Sequence, residues 1–140
     1  MFLPEEGLRD FIAAAPCPAA DIAAAEAALG VALPADYKAF LRLHDGARGW
    51  IGNTRFELWR AADLPAINRD QTALALLAFG GDGQQALFAF DLRNEPYAVA
   101  IVSAAACNSD AARPVAKSFS GLFYRLARSE GSLFGRQSDT

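Results

Sequence analysis

Two cysteines and one histidine are all this chain has of the side chains that most often hold metals or attack substrates. With no CxxC pair and no HExxH, GxSxG or GxxxxGK run, a disulfide framework, a zinc site and the common nucleophile or phosphate-loop enzymes have nothing to be built from. No apolar run reaches the roughly 18 residues of a membrane span. Glu5 and Glu6 come before any long apolar stretch, unlike an export signal, so the expectation is a soluble cytoplasmic protein with reduced thiols. A basic excess is missing too. Lys and Arg number 13 against 16 Asp and Glu, a net charge of −3, so neither nucleic acid nor a membrane is an expected partner.

What the chain does have is apolar mass. Its 140 residues are 53% hydrophobic and 21% charged, enough for one domain that buries roughly two thirds of its unfolded surface without a metal or disulfide staple. A single domain over residues 1–140 is expected, with its core over about 19–129 and a frayed tail after it. Charge is uneven. Residues 1–45 hold seven acids against three bases, and from Arg113 onward five bases face two acids. Two solvated helix faces of opposite sign account for this, and the same asymmetry can steer a charged partner.

Pro4 is placed to open a first helix, with Leu8, Phe11 and Ile12 on one face at helical spacing, before Pro16 and Pro18 punctuate the chain. A second helix runs from about Ala19 through Ile22, Ala25 and Leu29, and Gly30 stands where a left-handed cap is wanted. A third begins at Leu33-Pro34, carries Asp36 near its positive end, and places Tyr37, Phe40, Leu41 and His44 three and four apart before Asp45-Gly46. Thereafter the period becomes two. Strands are predicted over residues 49–51, 54–59, 74–79, 85–91 and 97–102, with Asn53, Gly80-Gly81-Asp82-Gly83 and Asn94-Glu95-Pro96 as turns and a short helix over 61–68. A polar loop is expected to Pro114. Ser118 then caps a last helix whose Phe119, Leu122, Phe123 and Leu126 repeat on one face, leaving Arg125 and Arg128 to solvent. Helices, then antiparallel strands, then a helix argue for an α+β domain with helices packed on a mainly antiparallel sheet.

The succession Ile22, Glu26, Leu29-Gly30, Leu33-Pro34, Tyr37, Phe40-Leu41 and Asp45-Gly46 resembles the opening of the SUKH superfamily, which includes the fungal cell-wall-assembly regulators of the Smi and Knr type. Asp45 replaces the usual Asn. The strand, turn and strand from Leu77 to Asp91 and the Ser118-Phe119 helix are also similar to that family, whereas the residues before Ile22 and the loop 104–114 show no family pattern. The resemblance implies a non-catalytic protein-binding domain, used in many bacteria as an immunity protein that neutralises a cognate polymorphic toxin. The family's other branch implies a regulatory or scaffold domain binding a cellular protein.

Candidate chemistry is sparse. His44 is near the negative end of a helix, where a histidine is favourable whatever its use, and neither Cys17 nor Cys107 has a Lys or His beside it in sequence to lower its pKa. Residues 81–86 match G-x-G-x-x-[GA] by letter, but an alternating strand pattern follows instead of a helix and Ser103 stands where an acid is needed, so a hairpin turn is expected. Asp82, Asp91 and Asp110 are too scattered for a metal. No catalytic residue, metal ligand or cofactor is assigned.

The ten Phe are assigned mostly to the core, and Trp59 with them. Trp50 is different, lying between Gly49 and Ile51 with Arg48 nearby, and Trp and Arg are the residue types enriched at binding hot spots. A partner-binding surface is therefore expected at Asp45, Arg48, Trp50, Asp82 and Gln84, on loops that join strands. The expected partner is a protein, a basic toxin domain that Asp45 and Asp82 would attract.

Overall fold

The computed structural model describes residues 8–52, 54–69, 75–83, 85–93, 97–103 and 112–128. The expected turns at Asn53 and at Asn94-Glu95-Pro96, together with Cys107, Asp110 and the tail, lie outside them. Among the described residues seven strands form one sheet in chain order, every neighbouring pair antiparallel. They are β1 (Leu8–Ala13), β2 (Ala47–Ile51), β3 (Thr54–Leu58), β4 (Leu76–Gly81), β5 (Ala86–Asp91), β6 (Ala98–Ser103) and β7 (Arg113–Ala116). Helices α1 (Ala19–Leu29) and α2 (Ala35–Leu43) separate β1 from β2, a 3₁₀ turn (Ala61–Asp63) runs into the short α3 (Leu64–Ile67), and α4 (Phe119–Arg128) follows β7. The α+β architecture read from the sequence is the one observed.

Leu33, Phe40, Leu41, Phe88, Phe90, Phe119 and Phe123 are all buried in one core, as their spacing predicts. Tyr37 sits at its centre, with ring centroids 5.4 Å from Phe79, 5.4 Å from Phe90 and 5.1 Å from Phe119. Caps close the helices. The Gly30 N–H donates to the Glu26 carbonyl in a left-handed turn. The Gly121 N–H donates to Ser118 Oγ at 3.0 Å, while Asp36 reaches across from α2 to accept the Ser120 N–H at 3.0 Å.

Four sequence readings differ from the structure. Gly80 and Gly81, read as turn, end strand β4, paired with Phe88 and Leu87, and Arg48 and Trp50, expected on a loop, stand on strand β2 because β1 and β3 pair with it on both sides. Residues 8–13 form an edge strand, not a helix. A helix there cannot run through Pro16, and a stretch that short does not hold as helix without tertiary support, whereas pairing with β2 satisfies its backbone. A bulge places Asp10 and Phe11 opposite Gly49, with Asp10 at φ 52°, so Phe11 turns to the core side against Phe56 while Ile12 is exposed. Residues 113–116 are strand, where a loop was expected as far as Pro114. Pro114 is accommodated because β7 is an edge.

The sheet is buried unequally, and this fixes where a surface is free. On β4 every residue is buried, and behind the main core Leu76, Ala78, Ala89 and Val102 form a second apolar cluster. On β2 and β3 buried and exposed or half-buried residues alternate, the mark of a sheet with one solvated face. Among the described residues β3 and β4 pair through Glu57 with Gly81 and Leu58 with Gly80, and the Trp59 N–H donates to the Phe79 carbonyl at 3.1 Å one step further. Beyond it the buried Asn68 takes a strand's place, donating from Nδ2 to the Ala78 carbonyl at 2.8 Å and accepting the Ala78 N–H at 2.7 Å.

Candidate functional site

The solvated outer face of β1, β2 and β3 gathers most of the exposed chemistry of the strands. Register sets two rows across it. Arg9, Trp50 and Arg55 stand side by side in one, and Ile12, Arg48 and Glu57 in the other. Trp50 is 37% exposed. The Arg9 guanidinium lies 5.5 Å from the centre of its ring and also donates to the Gly52 carbonyl at 3.2 Å, so the tryptophan is held by a cation contact on a paired strand. Arg55 pairs with Glu57 at 3.4 Å. The Arg48 side chain has no hydrogen-bond or ion-pair partner among the described residues. Gly49 lets the bulge of β1 close on β2, since a Cβ there would meet the Arg9 carbonyl oxygen at 3.0 Å.

Beside these rows is an open pocket of about 370 Å³, lined by Ile12, Leu58 and Trp59 on its apolar side and by Asp45, Arg48 and Arg60 on its polar side. Glu57 lines it as well and faces a smaller hollow of about 200 Å³ under the β4–β5 turn. The Glu57 carboxylate lies so close beneath Gly83, at φ 79°, that a side chain at that glycine would collide with it.

Of the residues singled out in the sequence, Arg48 and Trp50 project from this face, Asp45 lines its pocket and Asp82 sits in the turn at its border. Gln84 lies outside the described residues. The two acids, however, are engaged by the fold. Asp45 is only 14% exposed, accepts the Ala61 N–H through Oδ1 at 2.8 Å, and faces Arg60 at 3.5 Å through Oδ2. Asp82 accepts the Gln85 and Ala86 N–H groups through one oxygen, each at 3.1 Å, and so shapes the hairpin turn. The letters that match a dinucleotide fingerprint therefore lead into strand β5.

Arg9, Ile12, Arg55, Glu57 and Arg60 were not singled out in the sequence. The first two are invisible while residues 8–13 read as helix. Arg55 and Glu57 carried a signal, the alternation Thr54, Arg55, Phe56, Glu57, Leu58, which sends both to the face opposite Phe56.

Of the reactive side chains, Cys17 and His44 are among the described residues, and both serve packing. Cys17 is buried, and burial with the nearby Asp45 carboxylate pushes its thiol up to about 11, away from the thiolate that nucleophilic or metal chemistry needs. The His44 ring packs at 5.7 Å from Phe11 and 5.5 Å from Phe40. Among the described residues no group of His, Cys, Asp and Glu is placed to hold a metal ion, and no helix is long and apolar enough to cross a membrane.

Comparison with known proteins gives one family. Residues 16–125 match the model of the SMI1 / KNR4 family (SUKH-1), a span that runs from α1 into α4 and leaves β1 out. No curated protein matches the chain.

Proposed function

The chain belongs to the SMI1 / KNR4 family (SUKH-1), and we propose that it is a non-catalytic protein-binding domain, an immunity protein that neutralises a cognate toxin in the cytoplasm by occupying part of the toxin's surface. One observation carries this reading: an exposed tryptophan among arginines on the solvated face of a rigid sheet. Trp and Arg are enriched among the few residues that carry most of the energy at protein interfaces, and a paired strand leaves their backbone with little to order on binding. The positions of Cys17 and His44 support it, since these two groups are spent on packing.

The interface proposed is the outer face of β1–β3, with Arg48 and Trp50 central and the Asp82 turn at its rim. Asp45 supports that face from within. The experiment is co-expression with the toxin domain encoded beside the gene. Growth is expected to be rescued by the parent chain and lost with Trp50→Ala at unchanged melting temperature. A locus without a toxin gene, or rescue that Trp50→Ala leaves intact, contradicts the reading, and the first of these points to the regulatory role of the family's other branch.

A further inference from the structure

We infer that the partner presents an acidic protein segment to this face, with a carboxylate taken up at the pocket that Arg48 and Arg60 line and an apolar side chain laid against Ile12. The inference rests on the reading of the outer face as the binding surface and names the chemistry that surface selects. It reverses the expectation of a basic partner drawn to Asp45 and Asp82.

Charge on this face departs from the average of the chain. The protein as a whole carries −3, yet Arg9, Arg48, Arg55 and Arg60 all stand on or beside the face. Opposing them are Glu57, the inward-turned Asp45, Asp10 on the bulge of β1 and Asp82 in the border turn, so the face is balanced in sign where the chain is negative. Arg60 is 67% exposed whereas the Asp45 carboxylate facing it is 14% exposed, so the positive end of that pair meets the solvent. Arg48, without a partner among the described residues, has its fork of donors to offer, and a carboxylate matches that fork with two parallel hydrogen bonds.

The pocket beside them, about 370 Å³ with Ile12, Leu58 and Trp59 on its apolar side, suits a short side chain next to an acid. Ile12 is 56% exposed. A nucleic acid is the poorer match. A phosphate backbone needs a continuous basic track, and here Glu57 lies between Arg48 and the β4–β5 turn, where Asp82 adds a second acid.

The test is a nuclear magnetic resonance titration of the isotope-labelled protein with three probes: an acetylated peptide of glutamate, leucine and glycine, its lysine counterpart, and oligothymidylate. The acidic peptide is expected to shift the Trp50 indole and Arg48 side-chain signals, and about tenfold weaker binding is expected on raising the salt from ~0.05 M to ~0.5 M. Arg48→Glu and the milder Arg48→Ala should both weaken it, while Arg125→Glu on α4 should not. Tighter binding of the lysine peptide or of oligothymidylate, or acidic-peptide binding indifferent to both Arg48 variants, overturns the inference. Against the toxin domain itself, loss of binding in Trp50→Ala with full binding in Arg48→Glu overturns the acidic chemistry alone. Full binding in both variants overturns the binding face as well.

Discussion

Replacing Asp45 by alanine should damage the fold more than any interface. Its Oδ1 is the acceptor for the Ala61 N–H at the start of the 3₁₀ turn, and Ala61 is fully buried. Removing the carboxylate leaves that N–H without a partner, which costs about 1–3 kcal/mol. The pair with the largely exposed Arg60 adds about 0–1 kcal/mol. The sum is about 1–4 kcal/mol, and in urea this moves the unfolding midpoint down by roughly 0.5–2 M at a slope of about 2 kcal/mol/M. Asp45→Asn keeps an oxygen for Ala61 and should lose less than about 1 kcal/mol. Equilibrium urea unfolding followed by circular dichroism measures all three proteins. An Asp45→Ala midpoint equal to that of the parent, or an Asp45→Asn loss as large as that of alanine, refutes the assignment of this acid to the fold.

Three further outcomes follow from the same packing. Phe90→Ala removes a fully buried ring 4.4 Å from Phe79 and should cost about 3–5 kcal/mol by the same urea assay. Asn68→Ala strips both backbone groups of Ala78 of their partner, so about 2–4 kcal/mol should be lost and exchange of the Ala78 amide hydrogen should speed up. The Cys17 thiol is pushed from 9.0 up to about 11, so the native state keeps a proton that the unfolded chain gives up. Its contribution is present below pH 9 and is lost as the pH rises from 9 to 11, and unfolding scans across that window should show a steeper loss for the parent than for Cys17→Ala.

The residues that made the family legible in the sequence turn out to hold the scaffold. Glu26 accepts the Leu33 N–H at 2.8 Å and pairs with Lys38, Gly30 caps α1, Tyr37 and Phe40-Leu41 fill the core, and Asp45 caps the 3₁₀ turn. Such residues announce a fold and leave the partner unnamed. Periodicity located α2, β3 and α4 because each has one apolar face, whereas the alanine-rich α1 was delimited by Pro18 before it and Gly30 after it.

It failed at residues 8–13 because a bulge shifts the strand's period by one residue, so that Leu8, Phe11 and Ile12 imitate helical spacing. It failed at β7 because four residues with a proline inside carry too little pattern. The candidate face was half legible. Trp50 and Arg48 stood out by residue type, but Arg9 and Ile12 reach the same face only through long-range pairing, and the burial of Asp45 depends on where Ala61 lands. Asp82, half-buried in its turn, also bonds the backbone of the hairpin, which sequence order alone does not show.

The central claim is that the outer face of β1–β3 binds the partner, and the most direct measurement is calorimetric titration of the toxin domain with the parent chain and with Trp50→Ala. The account predicts a loss of about 2 kcal/mol or more, roughly 30-fold or greater in Kd, with unchanged unfolding because the ring is partly exposed. Equal dissociation constants for the two proteins contradict it.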